Sequence, residues 1–188
     1  MLIKIAFQGE RGSFAEDAIF KFFDEKEIEI IACPTLESLR EKLENGNAEL
    51  AVLPIKNSLA GEVENVKKLL ENVDWKKLSE CELQIRQNLI GCRDASLETL
   101  RTVESHKVAL AQCENFFIEN PHLQKIESPN TAFSAKRAIE SGDITRAAIA
   151  NARTAEIYGG RIISANIQDS DENYTTFHLF TLKVKHAF

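Results

Sequence analysis

The sequence predicts an α/β protein built as two lobes, and three features of the pattern carry that prediction. Strand-like and helix-like stretches alternate as β-α-β-α-β-α over the first 75 residues, the signature of a parallel sheet with helices on both faces. A second alternation, βαβα, runs over residues 123–158 without detectable sequence repeat of the first. The final strand-like stretch, residues 178–184, follows a long polar segment and is expected to return to the first lobe, making a second crossover. The lobes are therefore assigned as residues 1–78 plus 168–188 and residues 79–167. A cleft between two such lobes is a favoured place for a small-ligand site.

Composition narrows the function. The chain has 188 residues, 44% of them apolar, enough for one core or two small lobes, which excludes a fully disordered chain. A formal charge of −6 argues against nucleic acid or an anionic membrane as the main partner, since either needs a basic face. No apolar run reaches the roughly 18 residues of a spanning helix, and residues 1–7 are too short and too poor in basic residues for a signal peptide. A cytoplasmic protein is expected. Cys33, Cys81, Cys92 and Cys113 are scattered, with no C-x-x-C pair and no histidine at zinc-ligand spacing. They read as reduced, mostly buried thiols, and no metal is expected.

Residues 2–7 open as a strand, followed by a loop in which Gly9 and Gly12 suit a close approach to a ligand. Ser13 and Glu16 have the spacing of a capping box. Phe14, Ala15, Ala18, Ile19, Phe22 and Phe23 form the apolar stripe of the helix that follows, whose N-terminus offers N–H groups to an anion. The loop lacks the third glycine of a dinucleotide fingerprint and the lysine of a P-loop, which speaks against a nucleotide. Residues 27–33 are a strand, Thr35 caps a helix through residue 43, and Asn45-Gly46-Asn47 ends it.

The strand at residues 48–53 leads into the stretch that organises the chain. Pro54 is expected to end its ladder, and residues 63–70 resume at helical spacing, so Lys56, Asn57, Ser58 and Gly61 stand at a strand-to-helix junction. Ligands bind at that end of open α/β sheets. A cation, an amide, a hydroxyl and a glycine there suit a small polar or anionic molecule.

Residues 79–92 read as an extended link into the second lobe, residues 96–100 as a short helix and residues 102–105 as a strand. A helix over residues 108–118 puts Ser105 and His106 at another strand-to-helix junction, with Gln112 two turns along the helix. Residues 123–127 and 146–150 are strand-like, residues 132–141 and 152–158 helical, with Gly142 and Gly159-Gly160 as stops, and residues 162–177 lead to the final strand.

Taken in order, these motifs resemble the catalytic domain of the prephenate dehydratase family. The resemblance rests on Gly9-x-x-Gly12-Ser13-Phe14, on Pro54-Ile55-Lys56-Asn57-Ser58-x-x-Gly61-x-Val63, and on Ser105-His106-x-x-Ala109-Leu110-Ala111-Gln112-Cys113. It continues through Thr131-Ala132 with Ser134-Ala135, Ala147 to Ala150, Tyr158-Gly159, and Asn173-Tyr174-Thr175-Thr176-Phe177. It implies a fold like the type II periplasmic binding proteins with the active cleft between the lobes, a homodimer or higher homo-oligomer, and no cofactor. The implied substrate is prephenate, a dianion that loses water and carbon dioxide to give phenylpyruvate on the route to phenylalanine. Thr175 matches the catalytic threonine that serves the departing hydroxyl. Ser13, Lys56, Asn57, Ser58, Gly61, Ser105, His106, Gln112, Thr131, Thr176 and Phe177 match substrate-site positions. The family often adds an ACT or a chorismate mutase domain, and neither is expected within these residues.

The sequence departs from the family pattern at four places. Lys56 stands for a glutamate, Gln87 for a histidine, Lys107 for a proline and Thr176 for an arginine. Threonine cannot hold a carboxylate bidentately as arginine does, and Lys56 is expected to replace that guanidinium. At positions 56 and 176 the usual pair sums to zero and this pair to +1, so attraction for a dianion is retained. The alternatives are the related substrate arogenate, or a non-catalytic anion-binding domain that has lost turnover through the change at 176.

Overall fold

The structure, a computed structural model, describes residues 2–183. The chain divides into two compact units: residues up to 10, 14–83 and from 174 onward form the first, and residues 11–13 with 84–173 the second.

In the first unit, β1 (Ile3–Gln8) pairs in parallel with β2 (Ile28–Cys33) and β3 (Leu50–Asn57). Ile5, Ala6 and Phe7 are fully buried, as expected of a parallel strand covered on both faces. One face packs Ile5, Phe7 and Val52 against Ala15, Ala18 and Ile19 of α1 (Phe14–Ile19). The other packs Ala6, Ala51 and Leu53 against Leu36, Leu39 and Leu43 of α2 (Leu36–Glu44). Helix α1 stops at Ile19, so Phe22 and Phe23 reach the same cluster from beyond its end. Thr35 caps α2 in a reciprocal box with Ser38, and Asn45 closes it.

The ladder does not stop at Pro54. β3 runs on to Asn57, turns through Ser58, Leu59 and Ala60 into β4 (Gly61–Glu62), and only then enters α3 (Glu64–Leu70). Proline is tolerated because it sits at a register shift, where Phe177 faces Pro54, Thr176 faces Lys56, and Ile55 is the extra residue. The carbonyl of Ile55 accepts from the Val63 N–H at 2.9 Å. β5 (Trp75–Gln84) lies at the far edge of the sheet.

The second unit holds β6 (Asn88–Gly91), β7 (Thr102–Ser105), β8 (Gln124–Glu127), β9 (Arg146–Ala150) and β10 (Arg161–Ser164) in the order β10-β6-β9-β7-β8. β7 is parallel to β8 and β9, and β6 antiparallel to β9 and β10. Its helices are α4 (Lys107–Ala111), α5 (Glu114–Glu119), α6 (Thr131–Glu140) and α7 (Ala152–Tyr158). The helix expected over residues 108–118 is thus two helices broken at Gln112 and Cys113. Asp169 stabilises the break, its carboxylate accepting from the Glu114 and Asn115 N–H groups at 2.8 and 2.9 Å. Residues 96–100 are a turn, in which the Thr99 hydroxyl donates to the Ser96 carbonyl and accepts from the Ser96 N–H.

The last strand, β11 (Tyr174–Leu182), returns to the first unit and pairs antiparallel with β3. It begins at Tyr174 rather than at the expected His178, and the expected end at Val184 lies outside the described residues. The unit boundaries fall at 84 and 174, against the expected 79 and 168. Residues 79–84 are the second half of β5 in the first sheet, whereas residues 168–173 bond to Gln87, Gln84 and Gln112 of the second unit.

Cys33, Cys92 and Cys113 are buried free thiols and Cys81 is half-buried. Burial, reinforced by the Asp169 carboxylate, pushes the Cys113 thiol up to about 12. Among the described residues no helix is long and apolar enough to cross a membrane, and no cluster of three metal-ligating side chains occurs.

Candidate active site

The first unit gathers its polar groups where β3 meets β11. Asn57 lies opposite Thr175 in the ladder. The Asn57 side-chain carbonyl accepts from the N–H groups of Leu59 and Ala60 at 3.1 and 2.9 Å, which fixes which end of the amide points where. Its Nδ2 therefore faces β11, donating to Thr175 Oγ1 at 3.0 Å and to the Tyr174 carbonyl at 3.2 Å. Ser58 ties the same strand: its N–H donates to the Tyr174 carbonyl at 2.8 Å, and its hydroxyl accepts from the Tyr174 N–H at 3.0 Å. Gly61 closes the hairpin at φ +84°, the left-handed region that glycine adopts without strain.

The register separates two pairs that the motifs group together. Lys56 faces Thr176 one step along from the Asn57–Thr175 pair, and successive side chains on a strand point to opposite faces. Lys56 and Thr176 thus project from the face opposite to Asn57 and Thr175. Lys56 also pairs with Glu62 of β4. It adds to the pull that Lys67, bonded to Glu62 at 2.6 Å, exerts on that carboxyl, which is held below its usual range. Lys56 therefore stands across from position 176, as a replacement for a guanidinium there requires, but it is turned away from Thr175 and toward Glu62. Phe177, on the Thr175 face, is 2% exposed and belongs to the core with Val52 and Ile19, so its part is packing.

The second unit carries the other candidates. Gly12, at φ +82°, passes so close to the start of α7 that a Cβ would lie 2.8 Å from Thr154 Cα. Ser13 follows it, half-buried. Ser105 is fully buried at the end of β7, its hydroxyl donating to the Ile149 carbonyl at 2.6 Å, which ties β7 to β9. His106 caps α4, with Nδ1 accepting from the Val108 N–H at 3.3 Å. That contact places the proton of the neutral ring on Nε2. Burial and the neighbouring Lys107 hold the imidazole below its ordinary value, against a smaller opposing pull from Glu127. Thr131 opens α6 under the Asn130 cap, whose side chain accepts from the Phe133 N–H at 2.7 Å.

Gln112 sits at the C-cap of α4. Its side-chain carbonyl accepts from Asn173 Nδ2 at 3.0 Å and from Gln87 Nε2 at 3.2 Å. Asn173 and Gln87 are both buried and reach Gln112 from two separate segments of the chain. Sequence reasoning marks neither as a site residue, although Asn173 lies in a family motif and Gln87 is one of the four departures. Asp169 carries no sequence signal at all.

A two-unit α/β protein with amides and hydroxyls gathered at its strand ends is the class that fold and site define. The family model for prephenate dehydratase matches residues 5–185, and the chain belongs to that family. A curated relative, the arogenate dehydratase/prephenate dehydratase 1 of Arabidopsis thaliana, is 35% identical over 93% of this chain and 44% of its own length. The chain spans about half the length of the curated relatives it matches. A solved structure of GqqA, described as a novel type of quorum quenching acylase, is 29% identical with a TM-score of 0.85, covering 96% of this chain and 64% of that one. The prephenate dehydratase of Arthrobacter aurescens, solved with L-Phe, shares the fold with a TM-score of 0.87 at 24% identity, covering 96% of this chain and 61% of that one.

Proposed function

We propose that this chain is the catalytic part of a prephenate dehydratase, a hydro-lyase that converts prephenate to phenylpyruvate in the biosynthesis of phenylalanine. The observation that carries the reading is the Asn57–Thr175 contact. Because the Asn57 amide is fixed with its NH2 toward Thr175, the threonine oxygen is the acceptor there, and the hydroxyl hydrogen is directed elsewhere.

In the reaction the ring C–O bond breaks, the departing hydroxyl takes up a proton to leave as water, and the electrons of the bond to the ring carboxylate become a ring π bond as carbon dioxide leaves. Thr175 supplies the hydrogen bond to the departing oxygen, with the net proton coming from solvent. Aromatisation provides the driving force. Asn57 and Ser58 hold β11 at Tyr174 and Thr175. Ser13, Ser105, His106, Gln112 and Thr131 are assigned to the substrate by their match to the family motifs, with Gly61 shaping the hairpin and Thr176 and Phe177 supporting the strand. No cofactor takes part. The same reading makes the enzyme cytoplasmic and a homodimer or higher homo-oligomer, which light scattering after size-exclusion chromatography would check.

The test is phenylpyruvate formation from prephenate, against a no-enzyme control. Thr175→Ala should lower kcat by about a hundredfold or more, while Thr175→Ser, which keeps the hydroxyl, should remain within about tenfold. The Arabidopsis relative is named for both substrates, so arogenate is assayed in parallel. Absence of turnover with both would leave the anion-binding domain as the better reading.

A further inference from the structure

Three buried or half-buried amides meet in the second unit, and their arrangement decides which way Gln112 is turned. The Gln112 side-chain carbonyl accepts two hydrogen bonds, from Asn173 at 3.0 Å and Gln87 at 3.2 Å. Its backbone carbonyl is held as well, by the Asp169 N–H at 2.7 Å. With the carbonyl end turned into the trio, the end turned away from it is an NH2 group carrying two N–H bonds.

Gln87 is itself well held. Its backbone N–H donates to Gln168 Oε1 at 2.9 Å and its backbone carbonyl accepts from the Ile167 N–H at 2.8 Å. The residue is 3% exposed, and its side-chain oxygen is buried without a hydrogen-bond partner among the described residues. A buried acceptor left in that state costs stability. An apolar side chain of similar size would avoid the cost, so packing alone does not account for an amide here. The donation from its Nε2 to Gln112 does.

We propose that Gln87 is a positioning residue, which with Asn173 locks the Gln112 amide so that its N–H end is offered to a carboxylate oxygen of the substrate. The proposal rests on the reading of Gln112 as a substrate group. A swap of the amide ends would turn a carbonyl oxygen toward the anion, so the lock acts on substrate affinity. A contact made equally in the ground and transition states changes KM and leaves kcat nearly alone.

The experiment compares Gln87→Leu, Gln87→His and wild type by two readouts. Steady-state kinetics with prephenate should show KM raised about three- to tenfold in Gln87→Leu, the loss of one hydrogen bond, with kcat within about twofold. Gln87→His, which can place an N–H at the same acceptor, should return KM to near the wild-type value. The second readout needs no turnover: side-chain 15N relaxation of the Gln112 NH2 group, identified by its loss in Gln112→Leu, should show a rigid amide in wild type and a mobile one in Gln87→Leu. An unchanged KM, an equal loss in the Leu and His variants, or an amide equally rigid in all three would overturn the proposal. A wild-type protein inactive on prephenate and arogenate would instead sink the dehydratase reading, with the relaxation data still deciding whether Gln87 locks Gln112.

Discussion

Replacing Gly12 by alanine tests how tightly residues 11–13 are fitted to the rest of the second unit. The substitution meets two separate costs. Gly12 has φ +82°, and an L-residue in that region loses about 1–2 kcal/mol. The added Cβ would also lie 2.8 Å from Thr154 Cα and Cγ2 and 2.9 Å from Thr154 N, closer than real Cβ atoms come to such neighbours. Two of those three atoms are backbone in the first turn of α7, so relief requires moving the loop or the helix, an overpacking cost of about 1–3 kcal/mol. The sum is about 2–5 kcal/mol. Gly142→Ala is the control: Gly142 is in the same unit at φ +65°, with nothing within 4 Å of an added methyl, so only the conformational cost applies. Urea unfolding followed by circular dichroism should place Gly12→Ala below Gly142→Ala by about 1–3 kcal/mol, the overpacking share alone. Equal destabilisation of the two variants would refute the close fit at Thr154.

Two further outcomes follow from charge. His106 and His178 are both held below their ordinary value of 6.5, His106 by burial and then Lys107, His178 by burial and then Lys77. The unfolded chain then binds more protons than the folded one once the pH drops below about 6.5, so stability falls from there down to the folded values. His106→Asn keeps a capping oxygen and should flatten part of that acid loss in urea titrations at pH 7.5 and 5.5; an unchanged slope would refute the assignment. Lys56→Ala should leave KM for prephenate within about twofold, because the register turns Lys56 toward Glu62 and away from the Thr175 face. A tenfold rise in KM would restore Lys56 as a carboxylate anchor.

The two α/β runs were determined by the sequence alone, because buried parallel strands and amphipathic helices each write a period into the chain. β9 and α7 begin and end where the pattern predicts, since a run of small apolar residues, Ala147 to Ala150, and a glycine stop at Gly159 leave little choice of boundary. Thr175 and Asn57 were also legible, through the family motifs that contain them. What only the tertiary structure decided are features made by partners distant in sequence. Pro54 lies within a strand because β11, more than a hundred residues later, shifts register against it. The break at Gln112 exists because Asp169 caps the helix beyond it. Lys56 parts from Asn57 because a strand alternates faces, and the lock on Gln112 needs Gln87 and Asn173, brought to it from two other segments. Local periodicity reports which face is buried, whereas hydrogen-bond partners across such separations leave no periodic trace.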